Sequence, residues 1–235
     1  MLEELKGSVW QANLELVLKG LVILTFGNVS GYDQASGLVA IKPSGVSYDA
    51  LKARDIVLVD LSGKVVEGKM RPSSDTPTHL ALYRAFPDLR GISHAHSAAA
   101  TAFAQAVVEI PCYGTTHADH FNGPIPVTRF LSKKEVEGEY EKNTGAVIIE
   151  RLAKDKINPL ETPGILVAGH GPFSWGLSPI SAVRNALILE TVAQMAIQTK
   201  LINPGARPLP TYIREKHHQR KHGPNAYYGQ GKDKA

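Results

Sequence analysis

The stretch that most constrains this chain is Gly91-Ile-Ser-His-Ala-His-Ser97. It reads as a short apolar strand ending in two histidines one residue apart. Side chains two positions apart on a strand share a face, so His94 and His96 project together while Ala95 points away. Two imidazoles side by side make half of a site for a divalent transition metal, and neutral imidazole suits zinc. The pair also fits two exposed strand-end histidines that bind nothing. A third histidine bears on the choice. The buried-type strand 164–168 ends in Gly169-His-Gly-Pro172, where flanking glycines permit unusual backbone angles and close approach at His170. Three nitrogen donors with open positions describe a catalytic zinc site, not a closed structural one. Asp75 is positioned in sequence to add a carboxylate ligand or to support one.

The rest of the chain supplies a mixed α and β frame. Residues 2–19 carry apolar side chains at mainly helical spacing, with Gly20 as the stop. Leu21 to Leu24 reads as a strand, followed by a Gly27-Asn28 turn. Leu38 to Ile41 is a second strand leading into Lys42-Pro-Ser-Gly45. That small-residue loop turns backbone N–H and hydroxyl donors toward anions, with a cation at its mouth, and it is equally the pattern of an ordinary turn. Residues 56–61 and 64–67 read as a hairpin around Ser62-Gly63. Thr76-Pro77 is the N-cap and first residue of a helix running to about Phe86. Ser73, Ser74 and Asp75 sit just before it, where a phosphate is favoured by free N–H groups and the helix dipole. Asp75 there is also an ordinary capping residue, and His79 a structural one. Further helices are read at 97–107, 143–156 and, opened by Ser178-Pro179, to about Thr199. The last is apolar almost all round, hence buried or at an interface. Its Glu190 reads as a paired core carboxylate. Between them, residues 110–122 form a loop-like stretch with His117, Asp119 and His120 within four positions.

At 235 residues, without internal repeat or linker, the chain reads as a single domain over 1–235. The net charge is +4, and it is concentrated. From Arg207 to Ala235 there are seven Lys and Arg against two acids, which leaves the remainder at −1. A basic tail without a recognition motif argues against nucleic-acid binding and fits an anionic metabolite or a neighbouring subunit. The lone Cys112 excludes an intramolecular disulfide. The charged N-terminal residues are not those of a signal peptide, and no run reaches the roughly 18 uninterrupted apolar residues of a membrane span. The expected location is the cytoplasm, with no membrane partner.

Six segments in this order, Gly-Asn-Val-Ser, Lys-Pro-Ser-Gly, Pro-Ser-Ser-Asp-Thr-Pro-Thr-His, His-Ala-His-Ser, Gly-Thr-Thr-His-Ala-Asp and Gly-His-Gly-Pro-Phe, closely resemble the class II aldolase/adducin-like family. The ending at 221–230, Lys-His-Gly-Pro-Asn-Ala-Tyr-Tyr-Gly-Gln, narrows the resemblance to its pentulose-phosphate 4-epimerases. The resemblance implies a three-layer α/β/α fold with a largely antiparallel central sheet. It also implies a C4 homotetramer with active sites at subunit interfaces, where the basic tail 207–235 docks. The implied activity is zinc-dependent, one Zn2+ per subunit. It interconverts L-ribulose 5-phosphate and D-xylulose 5-phosphate by cleaving C3–C4 in a retro-aldol step and re-adding the aldehyde on its other face. By motif match, Asp75, His94, His96 and His170 form the metal set. Gly27, Asn28, Ser44, Gly45, Ser73 and Ser74 contact substrate, chiefly its phosphate. Asp119 and Tyr228 are the acid/base pair, one for each face, with Tyr228 reaching in from a neighbouring subunit and His217 near the same site. Inversion needs a proton acceptor and donor in two orientations, which one group cannot supply.

Two other readings remain. A sister class II sugar-phosphate aldolase would carry Glu where this chain has Asp75. A non-catalytic adducin-like scaffold would have no use for three open histidines. The pathway served, arabinose or ascorbate-type, lies outside the chain.

Overall fold

The computed structural model describes residues 2–228, so the expectations for Gly229 to Ala235 lie outside the described residues. The chain builds one seven-stranded sheet in the order β4-β3-β2-β1-β5-β7-β6, and every neighbouring pair is antiparallel. The strands are β1 Asn28–Asp33, β2 Leu38–Ile41, β3 Val57–Asp60, β4 Val65–Glu67, β5 Gly91–His94, β6 Gly164–Val167 and β7 Gly171–Gly176. The helices are α1 Leu2–Leu18, α2 Thr76–Ala85, α3 Ala98–Ala106, α4 Thr115–Ala118, α5 Lys133–Glu137, α6 Tyr140–Lys154, α7 Pro179–Ile202 and α8 Thr211–His222.

Alternation along the strands sorts the core into two layers. Val39, Val57, Val59, Ile92, Phe173 and Trp175 face α2 and α6, meeting Leu82, Tyr83, Ile148 and Leu152. On the opposite face Ala40, Leu58 and Val29 meet α1, which packs on α7 through Ala12, Leu16, Val183 and Ala186. This is the expected three-layer α/β/α arrangement. Each large apolar side chain fully buried in it contributes about 1.5–3 kcal/mol. By length and composition α7 could cross a membrane, but here it lies along β5 and β7 and against α1 and α3.

The structure corrects several expectations. Leu21 to Leu24 is not a strand: Leu24 takes a positive φ of 53°, the Phe26 amide closes a turn onto the Ile23 carbonyl, and the ladder starts at Asn28. Two strands have no counterpart in the sequence pattern. β1 and β7 are buried along nearly their whole length. A strand covered on both faces has no alternating pattern to read. Asp75, not Thr76, is the N-cap of α2, with Pro77 one position further in. The Asp75 side chain makes no cap hydrogen bond, so its carboxylate is turned to other work. β5 ends at His94, leaving His96 beyond the ladder.

Candidate active site and metal centre

β5 and the β6–β7 turn deliver the three histidines to one point. His94, His96 and His170 each offer a ring nitrogen, and these atoms lie within 4.8 Å of one another. The Nε2 atoms of His94 and His96 are 3.1 Å apart. Two nitrogens each 2.0–2.1 Å from one tetrahedral zinc would be separated by about 3.3 Å. The rings are held edge to face, with centroids 4.7–5.0 Å apart.

Their orientation has physical causes. His94 stacks on Phe173 at 4.1 Å, and its Nδ1 lies 2.9 Å from the Pro172 carbonyl. A carbonyl only accepts, so Nδ1 carries the proton and Nε2 presents its lone pair toward the other two rings. Gly169 takes φ +70° to enter the His170 turn. The His170 Nδ1 is buried without a hydrogen-bond partner among the described residues. Burial, then the neighbouring histidines, pushes the pKa of His170 down to about 4 and lowers that of His96. Both rings are therefore neutral near pH 7, the form that ligates. The donor set fits a divalent metal with open coordination positions.

The same three side chains line a cleft of about 350 Å³. Its walls include all six expected substrate contacts, Gly27, Asn28, Ser44, Gly45, Ser73 and Ser74, together with Asp75. Gly27 has φ +92°, and a Cβ there would sit 2.8 Å from the His94 carbonyl oxygen. Only glycine allows that loop to close against the histidine strand. Asn28 donates from Nδ2 to Asp75 Oδ2 at 2.6 Å and to Ser73 Oγ at 3.1 Å, tying β1 to the start of α2. Burial pushes the Asp75 carboxyl up. His94, His79 and the Asn28 amide outweigh that and hold it below its usual range. Asp75 thus faces the histidine cluster without joining the group of converging nitrogens. Behind it His79 is fully buried and bonded through Nδ1 to Ser30 Oγ at 2.7 Å, in the structural role expected.

The cleft also holds Lys42, which the sequence marked only as the cation of the Lys-Pro-Ser-Gly loop. It is 2% exposed and lies over the Tyr48 ring at 4.7 Å. Burial lowers its pKa. Lys42 is thus a wall of the cleft and not a surface charge at its mouth.

Asp119 and Tyr228 are elsewhere. Neither lines the cleft. Asp119 follows α4 and meets α8. It accepts hydrogen bonds from Arg220 Nε and Nη2 at 3.1 and 2.7 Å and from His217 Nδ1 at 3.0 Å. Partial burial raises its pKa, but these donors win and hold it low. Tyr228 is exposed, its ring under the Arg220 guanidinium at 4.7 Å and Lys221 Nζ at 4.6 Å. The tail's helix, unread in the sequence for want of an apolar face, therefore docks on α4 of its own chain. His117 is structural, donating from Nε2 to the Gly123 carbonyl at 2.9 Å.

Residues 8–197 match the family described as Class II Aldolase and Adducin N-terminal domain. The chain belongs to the class II aldolase and adducin family. Within it, the chain is 57% identical over 229 residues to L-ribulose-5-phosphate 4-epimerase UlaF of Salmonella paratyphi A, covering 97% of this chain and 100% of that one. The same identity and coverage hold for the UlaF epimerase of Salmonella typhi. Among solved structures, an L-fuculose 1-phosphate aldolase superposes with a TM-score of 0.77 at 25% identity, over 92% of this chain and 95% of that one. The L-fuculose-1-phosphate aldolase from Thermus thermophilus shares the fold at a TM-score of 0.65 and 24% identity, over 87% of this chain and 98% of that one.

Proposed function

We propose that this family member is an L-ribulose-5-phosphate 4-epimerase using zinc, and that it works as a cytoplasmic C4 homotetramer. The observation that carries the proposal is the 57% identity to named epimerases over their whole length. The convergence of His94, His96 and His170 beside the Ser44-Gly45 and Ser73-Ser74 loops supports it. A divalent cation held by the three histidines, with Asp75 alongside, would supply Lewis-acid polarisation of the hydroxy-ketone.

The remaining work falls to the chain's own groups. Ser44, Gly45, Ser73, Ser74 and Lys42 hold the phosphate through hydroxyl, backbone and ammonium donors, keeping the substrate in register. Asn28 holds Asp75 by its amide. Asp119 takes or returns the proton of the C4 oxygen on one face, and Tyr228 does so on the other. C3–C4 cleavage, rotation of the released aldehyde and re-addition then invert C4. Asp119 and Tyr228 lie off this chain's cleft, so the proton-transfer pair comes from a neighbouring copy. The exposed apolar side chains at Ile23, Leu24 and Phe26 by the cleft and at Leu201 and Ile202 on α7 are consistent with that assembly.

NMR of L-ribulose 5-phosphate with the purified protein tests the proposal. Formation of D-xylulose 5-phosphate, abolished by a chelator and restored by zinc, is the expected result. No conversion by metal-loaded protein would overturn it. Net release of glycolaldehyde phosphate would favour a sugar-phosphate aldolase, the activity named for the fold neighbour.

A further inference from the structure

The epimerase proposal assigns proton transfer to Asp119 and Tyr228 but leaves unexplained what holds a buried carboxylate and an exposed tail tyrosine in fixed relation. Two side chains of α8 reach both, Lys221 at 3.9 Å from Asp119 Oδ2 and 4.6 Å from the Tyr228 ring, and Arg220, which alone of the two hydrogen-bonds the carboxylate. Arg220 projects from α8 and grips Asp119 with two parallel bonds, Nε to Oδ1 at 3.1 Å and Nη2 to Oδ2 at 2.7 Å. The same guanidinium lies over the Tyr228 ring, its Cζ 4.7 Å from the centroid. Its backbone carbonyl also accepts from the amides of Tyr227 and Tyr228 at 3.0 and 3.2 Å. The main-chain bonds turn the tail back over α8, and the side chain then sets the ring. We infer that Arg220 is a positioning residue for both proton-transfer groups, its fork fixing the Asp119 carboxylate and its cation fixing the Tyr228 ring.

The chemistry of the guanidinium suits this double role. Its planar fork matches a carboxylate edge, which an ammonium cannot do, while its cation still sits over the ring. The other charged and titratable groups around Asp119 are weaker substitutes. His217 Nδ1 gives one bond at 3.0 Å, and Lys221 Nζ stands 3.9 Å from Oδ2. His222 bonds only the Asp119 backbone carbonyl, and His120 on the same segment faces Lys221. Loss of Arg220 leaves Asp119 with burial and fewer donors. Its pKa then rises, so the carboxylate is protonated, and lost as a base, at a higher pH than in the native protein.

The inference rests on the epimerase proposal, and the experiment separates the two. Turnover of L-ribulose 5-phosphate by the zinc-loaded full chain is measured across pH for the native protein, Arg220→Met and Arg220→Lys, with folding checked by circular dichroism. Both variants are expected to keep KM, because Arg220 does not line the cleft. Arg220→Met is expected to lose about 10- to 100-fold in kcat, a part of what general acid–base catalysis supplies, and to shift the acidic limb upward in pH. Arg220→Lys is expected to recover only part of the loss. Combining Arg220→Met with Asp119→Asn should cost less than the product of the two single losses, because the part of the Arg220 effect that passes through Asp119 is already lost in Asp119→Asn. A purely structural role would raise KM or multiply in full with the Asp119→Asn defect. Native kcat and pH profile in Arg220→Met, or full activity in Arg220→Lys, would overturn the inference and leave the epimerase intact. Absence of epimerisation by the native protein would sink both together.

Discussion

Glu190 offers a sharp test of how the histidine site is braced. It lies in the middle of α7, 6% exposed. Its two carboxylate oxygens accept the backbone amides of Ala99 and Ala100, each at 2.9 Å, while Gln194 Nε2 adds a third bond at 2.9 Å. Those amides open α3, whose own N-cap, Ser97, makes no side-chain cap bond. Glu190 therefore caps from another helix the segment that follows directly on His96. In Glu190→Gln one oxygen still accepts, but the other position becomes an NH2 facing a buried N–H. The variant loses one bond to a charged acceptor, about 1.5–3 kcal/mol, and strands one donor at about 1–3 kcal/mol. It also loses a negative charge at a helix N-terminus, up to about 2 kcal/mol. Relief from burying a carboxylate offsets several kcal/mol of that sum. The expected net loss is about 2–3 kcal/mol, and Glu190→Ala should lose at least as much. Urea denaturation at fixed protein concentration reads this as a lower midpoint at unchanged m. A change under about 0.5 kcal/mol in both variants, the scale of ordinary surface substitutions, would refute the cross-helix cap.

Other outcomes follow from the site. His96→Asn should leave the circular dichroism spectrum intact while metal analysis finds the chain empty. Turnover should fall by about 10³-fold or more, as expected for losing several kcal/mol of Lewis-acid stabilisation; full activity in the metal-free variant would exclude the metal from the reaction. Asp119→Asn should keep KM and lose about 10²- to 10⁴-fold in kcat, the range of a lost general base, and unchanged turnover would remove Asp119 from the mechanism. His117 is buried neutral with its pKa pushed down to about 4. Its unfolded value near 6.5 means that the unfolded state binds the proton first, so stability is lost as pH falls from 6.5 toward 4. Between pH 7 and 5 that amounts to about 2 kcal/mol. Replacing it in His117→Gln should flatten that part of the stability–pH curve in urea titrations.

Much of the site is legible in the sequence because chemistry-bearing residues come in short runs. His-Ala-His brings two imidazoles together by local geometry, even though the strand stops at His94. Ser178-Pro179 announces α7, and the Ser62-Gly63 turn announces its hairpin. What escapes is anything whose pattern depends on neighbours far along the chain. β7 is covered on both faces, with Phe173 and Trp175 in one core layer and α7 and α3 packed on the strand, so its six buried residues show no alternation. α8 has no apolar stripe, because its docking is made by Arg220 and His217 on Asp119. The burial of Lys42 is not legible either, because Tyr48 and the walls of the cleft decide it.

The sequence by itself determined which residues can ligate, cap and turn, since those capacities belong to side-chain chemistry and to backbone preferences a few residues long. It also determined the family, through motifs spread over nearly the whole chain. Only the tertiary structure decided that His170 meets His94 and His96, because that contact requires β5 and β7 to pair. It alone decided that Asp119 lies against α8 and off the cleft. Such relations are set by how sheet and helices pack together, and packing is a property of distant segments jointly, carried by no single stretch of the chain.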